Sequence, residues 1–172
     1  MSALRYIIFL LAMVVTSAAA QQNALEIARK GSVAQARELY AQSPDAFNEK
    51  SREGFTPLIL ATYRGNNEVA QFLIEKGIGI DQNSPMGSPL MAAAVKANIG
   101  IAKLLLEKKA NPDLTDANGM TALMYAAQFS NSDFVDLLLK HNANRHLKDG
   151  KGKTAFEYAV FSGDDKTINL LK

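Results

Sequence analysis

Apolar residues three and four positions apart come in paired short stripes separated by polar turns, and the pairs recur along most of the chain. In the clearest pair, Ala122-Leu123-Met124-Tyr125-Ala126-Ala127 is followed by Phe134-Val135-Asp136-Leu137-Leu138-Leu139 and the turn Asn142-Ala143-Asn144. This spacing predicts two amphipathic helices. Thr121 is placed to cap the first helix with its hydroxyl. Ala122, Ala126 and Ala127 keep that helix thin enough for the second to lie close.

The pair is one of a series. Thr56-Pro57-Leu58, Ser88-Pro89-Leu90, Thr121-Ala122-Leu123 and Thr154-Ala155-Phe156 fall into register at spacings of 32, 33 and 33 residues. Phe72-Leu73, Leu104-Leu105, Leu137-Leu138 and Leu170-Leu171 repeat those spacings in the second helix. Two independent features sharing one period mark a repeat array. The pattern resembles the ankyrin repeat over residues 23 to 172. The resemblance implies an all-α solenoid of about five helix-turn-helix units with short finger loops, over about 23–47, 48–80, 81–115, 116–148 and 149–172.

Unit by unit, the expectations are specific. The first repeat is degenerate: Leu25, Ile27 and Ala28 mark a short helix, Gly31 a turn, and Val33, Ala36, Leu39 and Tyr40 a second helix. Its Arg29, Lys30, Arg37 and Glu38 suit a cap with one wet face. Pro44 ends it, since proline restrains its predecessor from helix. In the second repeat Thr56 caps and Pro57 sits in the first turn, where its missing N–H is harmless. Val69, Phe72 and Leu73 face inward, and Gly77 is placed to end the return helix in a left-handed conformation. The third repeat is one residue short, which places a deletion and an irregular finger around Asp81-Gln82-Asn83-Ser84-Pro85-Met86, with Ile101, Leu104 and Leu105 buried beyond it. The polar helix from Asp164 to Lys172 caps the far end. Relatives in this family usually carry a His after Thr-Pro-Leu; here Ile59, Met91, Met124 and Glu157 stand there, so apolar packing must replace its hydrogen bonds.

Ahead of the repeats, Arg5 precedes the apolar run Tyr6 to Val15, and small residues follow, ending in Ala18-Ala19-Ala20. That order is a secretory signal over residues 1–20 with cleavage after Ala20. A retained anchor is the alternative, but the run is shorter than the roughly 20 apolar residues a bilayer needs. No stable membrane span is expected after cleavage. With 0 Cys, thiol chemistry, disulfides and a lipid-anchored signal are excluded. An exported chain without disulfides suits a bacterial periplasm.

Charge and chemistry narrow the function. The chain has 19 Lys and Arg against 17 Asp and Glu, and loss of Arg5 with the signal brings the two nearly level. Neither nucleic acid nor a strongly charged partner is called for. His141 and His146 lie five apart near a turn, off any common helical face, so no metal site or cofactor is expected. Gly150-Lys151-Gly152-Lys153-Thr154 lacks the preceding strand and longer loop of a phosphate-binding motif. An enzyme is not expected.

The remaining chemistry is recognition. Resemblance to ankyrin stacks implies protein binding on a concave surface lined by fingers and first helices. The variable positions there hold Arg52, Phe55, Tyr63 and Arg64 in the second repeat and Val95 and Lys96 in the third. The fourth supplies Met120, Gln128 and Phe129, and the fifth Lys151, Lys153 and Phe161. Aromatics interspersed with Arg and Lys are the composition of interface hot spots; alternatively, the rings fold onto neighbouring repeats as core. The expected function is a periplasmic protein-interaction module, monomeric when free, that inhibits, protects against or stabilises an exported enzyme. The alternative is a ligand or haem binding and delivery protein linked to oxidative defence.

Overall fold

The structure, a computed structural model, describes residues 19–172. Apart from Ala19 and Ala20, the expected signal segment lies outside the described residues. The rest is a succession of helix pairs: α1 over 19–30 with α2 Val33–Gln42, α3 Pro57–Arg64 with α4 Asn67–Glu75, and α5 Pro89–Val95 with α6 Ile99–Glu107. Then come α7 Ala122–Gln128 with α8 Ser132–Lys140, and α9 Ala155–Ser162 with α10 Asp165–Leu171. The fold is the expected all-α solenoid of helix-turn-helix units. Among the described residues the extended pairing is an isolated bridge between Ser84 and Gly87.

Each inner helix starts for a local reason. The hydroxyls of Thr56, Ser88 and Thr121 accept the backbone N–H groups of Ile59, Met91 and Met124, each at 3.3 Å, which satisfies donors that the first turn leaves unpaired. At α9 the same end is closed by Glu157, whose carboxylate accepts the Thr154 N–H at 2.5 Å. Gly77, at φ 72°, ends α4 in the left-handed conformation.

The inner helices α3, α5, α7 and α9 pack in a row, and each carries its outer partner on its back. Leu58, Leu90 and Leu123 are buried along the inner row, with Leu73, Leu105, Phe134 and Leu138 buried from the outer one. Leu104 departs from expectation: it is half-buried, and Leu106 takes the buried place. Ile59, Met91 and Met124 are buried at the position where a His was missed, so apolar packing does fill it there. Glu157, the fourth residue of that column, is exposed. In the first repeat the 3-10 turn Pro44–Phe47 drives Phe47 fully into the core. Asn66 ties this unit to the next by donating to the carbonyls of Ile27 at 3.1 Å and Gly31 at 2.9 Å.

The shortened finger is resolved by its hydrogen bonds. In every finger the glycine N–H donates three residues back, from Gly54 to Ser51, Gly87 to Ser84, Gly119 to Asp116 and Gly152 to Asp149, at 2.9 to 3.0 Å. Ser84 is therefore the equivalent of Ser51, Asp116 and Asp149. Beyond the glycine the fingers differ: Ser51, Asp116 and Asp149 donate their N–H to Phe55, Met120 and Lys153, whereas Ser84 donates to Gly87 itself at 3.1 Å. The missing residue thus falls between Gly87 and Ser88, and the expected position within Asp81–Met86 is corrected. Gly87 has φ 103°, which favours glycine, and a Cβ there would meet Met91 Sδ at 2.4 Å, so any side chain would have to displace Met91.

Candidate functional site

On the concave side, the ends of the inner helices and the finger bases enclose a groove of about 440 Å³, centred on the third repeat. That volume is in the range of clefts that bind ligands. Ile59, Leu60, Met91 and Ala92 form its floor, and all are buried. Phe55 and Tyr63 stand on the second-repeat side, Tyr125 and Phe129 on the fourth-repeat side. Tyr63 is 43 % exposed and Phe129 54 %, a surface that solubility alone does not favour.

The positions arise from repeat geometry. Tyr63, Val95, Gln128 and Phe161 each lie seven residues after a helix cap, so they stand in one column. Arg64, Lys96 and Phe129 follow one residue later and form the next column. Arg29 and Arg64 line the groove beside one carboxylate, Glu53. Backbone and Ser51 hydrogen bonds hold the Glu53 carboxyl below its ordinary range against the opposing effect of burial, with smaller help from Arg29 and Arg52. Lys96 places its Nζ 4.8 Å from the centre of the Tyr63 ring, within cation–π range.

The expected site residues do not form one patch. Phe55, Tyr63, Arg64 and Phe129 share the groove, with Lys96 bound over Tyr63 at its edge. Met120, Gln128 and Lys151 line a more polar depression between the fourth and fifth repeats, together with Tyr125 and Tyr158. Met120 is only 6 % exposed and packs into the core, so its side chain offers little to a partner. Phe161 is 87 % exposed and outside the groove; Lys153 sits over its ring at 5.5 Å and over Tyr158 at 5.8 Å. Arg52 is exposed on its finger.

Arg29, Glu53, Met86 and Tyr125 line the groove without having been singled out. Arg29 was legible: it precedes Gly31 by two residues as Tyr63 precedes Gly65. Tyr125 is held by its finger, donating to Asp116 Oδ2 at 2.6 Å while Asp116 Oδ1 accepts the N–H groups of Asn118 and Met120. Burial first, and then the Asp116 hydrogen bond, push the Tyr125 phenol well above its ordinary range. Tyr125 thus lines the groove as a neutral phenol engaged by Asp116. His141 and His146 are both exposed, away from it.

A family model described as ankyrin repeats (3 copies) matches residues 17–116 and 90–172. Similarity to individual proteins is regional. A putative ankyrin repeat-containing protein of Treponema pallidum (strain Nichols) is 40% identical over 77 residues, which is 44% of this chain and 26% of that protein. Human ankyrin repeat and KH domain-containing protein 1 is 40% identical over 81 residues, covering 47% of this chain and 3% of the human one. Mouse ankyrin repeat and SAM domain-containing protein 6 is 37% identical over 88 residues, 50% of this chain and 10% of its own. The chain thus matches about a quarter or less of the length of each of these relatives.

Proposed function

Because this chain belongs to the ankyrin repeat family of protein-interaction modules, we propose that it is an exported bacterial module that holds another exported protein, an enzyme that it inhibits, protects against or stabilises. The observation that carries this reading is the concave groove, where Tyr63 and Phe129 expose large rings over a buried apolar floor. A patch of this kind, rimmed by polar residues, loses its unfavourable contact with water when a partner covers it. Tyr and Phe anchors with Arg and Lys at the edge supply both apolar burial and orientation.

Export is supported by the order Arg5, apolar run, Ala18-Ala19-Ala20, and the periplasm by the absence of Cys. Family resemblance also fits a binding rather than a catalytic role, since such stacks typically act as scaffolds.

The test is capture of the partner on the mature chain from a periplasmic extract, identified by mass spectrometry and remeasured with purified components. The double variant Tyr63→Ala with Phe129→Ala should weaken that complex by about thirtyfold, the equivalent of about 2 kcal/mol, while remaining helical. A captured protein whose affinity is unchanged by the double variant would place the interface elsewhere and defeat the reading of this groove.

A further inference from the structure

The third repeat is thinner on its inner face than its neighbours, at two independent positions. The residue that follows the finger glycine is Phe55 in the second repeat, Met120 in the fourth and Lys153 in the fifth, but it is missing between Gly87 and Ser88. Four residues after the cap, the column reads Leu60, Ala92, Tyr125 and Tyr158, so the smallest side chain stands in the same repeat. One side chain is absent and another is reduced to a methyl. The groove of about 440 Å³ has Ala92 in its floor and Met86, from the shortened finger, in its wall, with the larger Leu60 and Tyr125 on either side.

Charge at the groove is one-sided. Arg29 and Arg64 line it and Lys96 overhangs Tyr63, against the single lining carboxylate Glu53. Arg29 is drawn partly aside by Glu26, 3.7 Å away. Among the described residues Arg64 and Lys96 form no ion pair. Arg64 and Lys96 are therefore available to carboxylates brought by a partner, although exposed pairs of this kind select and orient more than they hold.

We propose that the shallow place over Ala92, beside the shortened finger that carries Met86, is a socket for a bulky apolar side chain of the partner protein, carried on a segment whose flanking residues are Asp or Glu. This rests on the reading of the concave face as the protein-binding one. Insertion of the apolar residue displaces water from a floor that has no other polar function, and the acidic flanks meet Arg64 and Lys96 at the edge.

The experiment selects a random displayed peptide library on the purified chain and then measures enriched peptides on variants. The enriched peptides should be net acidic, with Phe, Leu, Ile or Trp between the carboxylates. Two plugged chains follow: Ala92→Tyr, the residue that the next two repeats place there, and a Met inserted between Gly87 and Ser88, which restores the length of the other fingers. Each should weaken the selected peptides by about tenfold or more with its helical circular dichroism retained. If one plug disturbs folding, the other carries the test. Arg64→Glu with Lys96→Glu should weaken acidic peptides and favour versions with Lys in place of the carboxylates.

Enriched peptides that are neutral or basic, or that bind both plugged chains as well as the unaltered one, would overturn the proposal. Peptides lost on Tyr63→Ala with Phe129→Ala, but indifferent to both plugs, would overturn the socket and leave the face as the binding surface. Peptides indifferent to all of these variants would remove both.

Discussion

The phenol of Tyr158 donates to Oδ2 of Asp149 at 2.6 Å, while Oδ1 of the same carboxylate accepts the N–H groups of Lys151 and Lys153 at 2.9 and 2.8 Å. One acidic side chain thus fixes a finger and ties it to its own inner helix. Tyr125 and Asp116 make the same arrangement one repeat earlier. In the second and third repeats serine stands in the acidic position: Ser51 Oγ accepts the Phe55 N–H, and Ser84 Oγ accepts the Met86 N–H and donates to the Gly87 carbonyl, so the serine bonds stay within the finger.

The pair makes the last repeat sensitive to pH in a defined direction. The Tyr158 hydrogen bond, followed by that from Lys153, holds the Asp149 carboxyl below its ordinary range, and the Asp149 hydrogen bond first, then burial, pushes Tyr158 up to about 12. A depressed carboxyl stabilises the fold above its unfolded value, about pH 4, and that contribution disappears as pH falls through the lower folded value. A raised phenol contributes below about pH 10, and its contribution disappears as pH climbs through the folded value. Tyr158→Phe should therefore lower the melting temperature at neutral pH and flatten its decline in acid, the remaining slope coming from the Lys151 and Lys153 bonds. Melting curves across the acid range check this, and an unchanged acid slope would refute the assignment.

Helix ends store strain at places where glycine is replaced. Gly65 and Gly163 end their inner helices at φ 75° and 74°, but the equivalent residues Ala97 and Ser130 adopt φ 53° and 55°. A Cβ in this conformation is unfavourable by roughly 1–2 kcal/mol, offset in part by the larger unfolded-state freedom of glycine. Ala97→Gly and Ser130→Gly should each stabilise the chain by about 0.5–1 kcal/mol, read as a melting-temperature rise of about 1–4 °C. A fall in either variant would show that the lost methyl or hydroxyl matters more than the backbone.

The repeat and its caps were legible because they depend on local spacing: Thr56, Ser88 and Thr121 act within three residues of themselves. The period alone brought Phe55, Tyr63, Arg64 and Phe129 to one groove. What spacing could not supply was depth. Met120 and Phe129 both border a helix and read alike as apolar edge residues, yet one is 6 % exposed and the other 54 %, a difference set by the neighbouring repeat. The place of the deletion was likewise hidden, since counting from Ile78 to Ser88 shows that a residue is missing but not which hydrogen bond is shortened.

That difference in depth predicts opposite outcomes for two residues once grouped together. Met120→Ala removes a buried side chain and should destabilise the chain by about 2–5 kcal/mol. Phe161 is 87 % exposed, and its loss removes little beyond the Lys153 contact, so Phe161→Ala should change stability by no more than about 1 kcal/mol. Urea denaturation of the two variants distinguishes them. Equal losses would mean that burial in the edge columns does not govern stability.

The proposed export boundary falls within the first helix. Cleavage after Ala20 would remove the exposed Ala19 and the half-buried Ala20, and would leave Gln21 to begin a chain that still contains Ala24, Leu25 and Ala28, the buried residues of α1. Gln21 also retains its bond to the next unit, its side-chain amide donating to the Lys50 carbonyl at 2.8 Å. A new α-amino group at a helix start is disfavoured by the dipole by about 0.3–1 kcal/mol, small against the apolar burial that holds the first repeat. A chain starting at Gln21 should therefore remain helical throughout and melt within a few degrees of one that keeps Ala19 and Ala20, whereas a start at Ser32 exposes the core that α1 covers and should lower the melting temperature markedly. N-terminal sequencing of the protein made in its native cell decides whether it is cut and where. A first residue at or beyond Leu25 would be incompatible with α1 as the cap of the stack, and an intact Met1 would remove the expectation of cleavage.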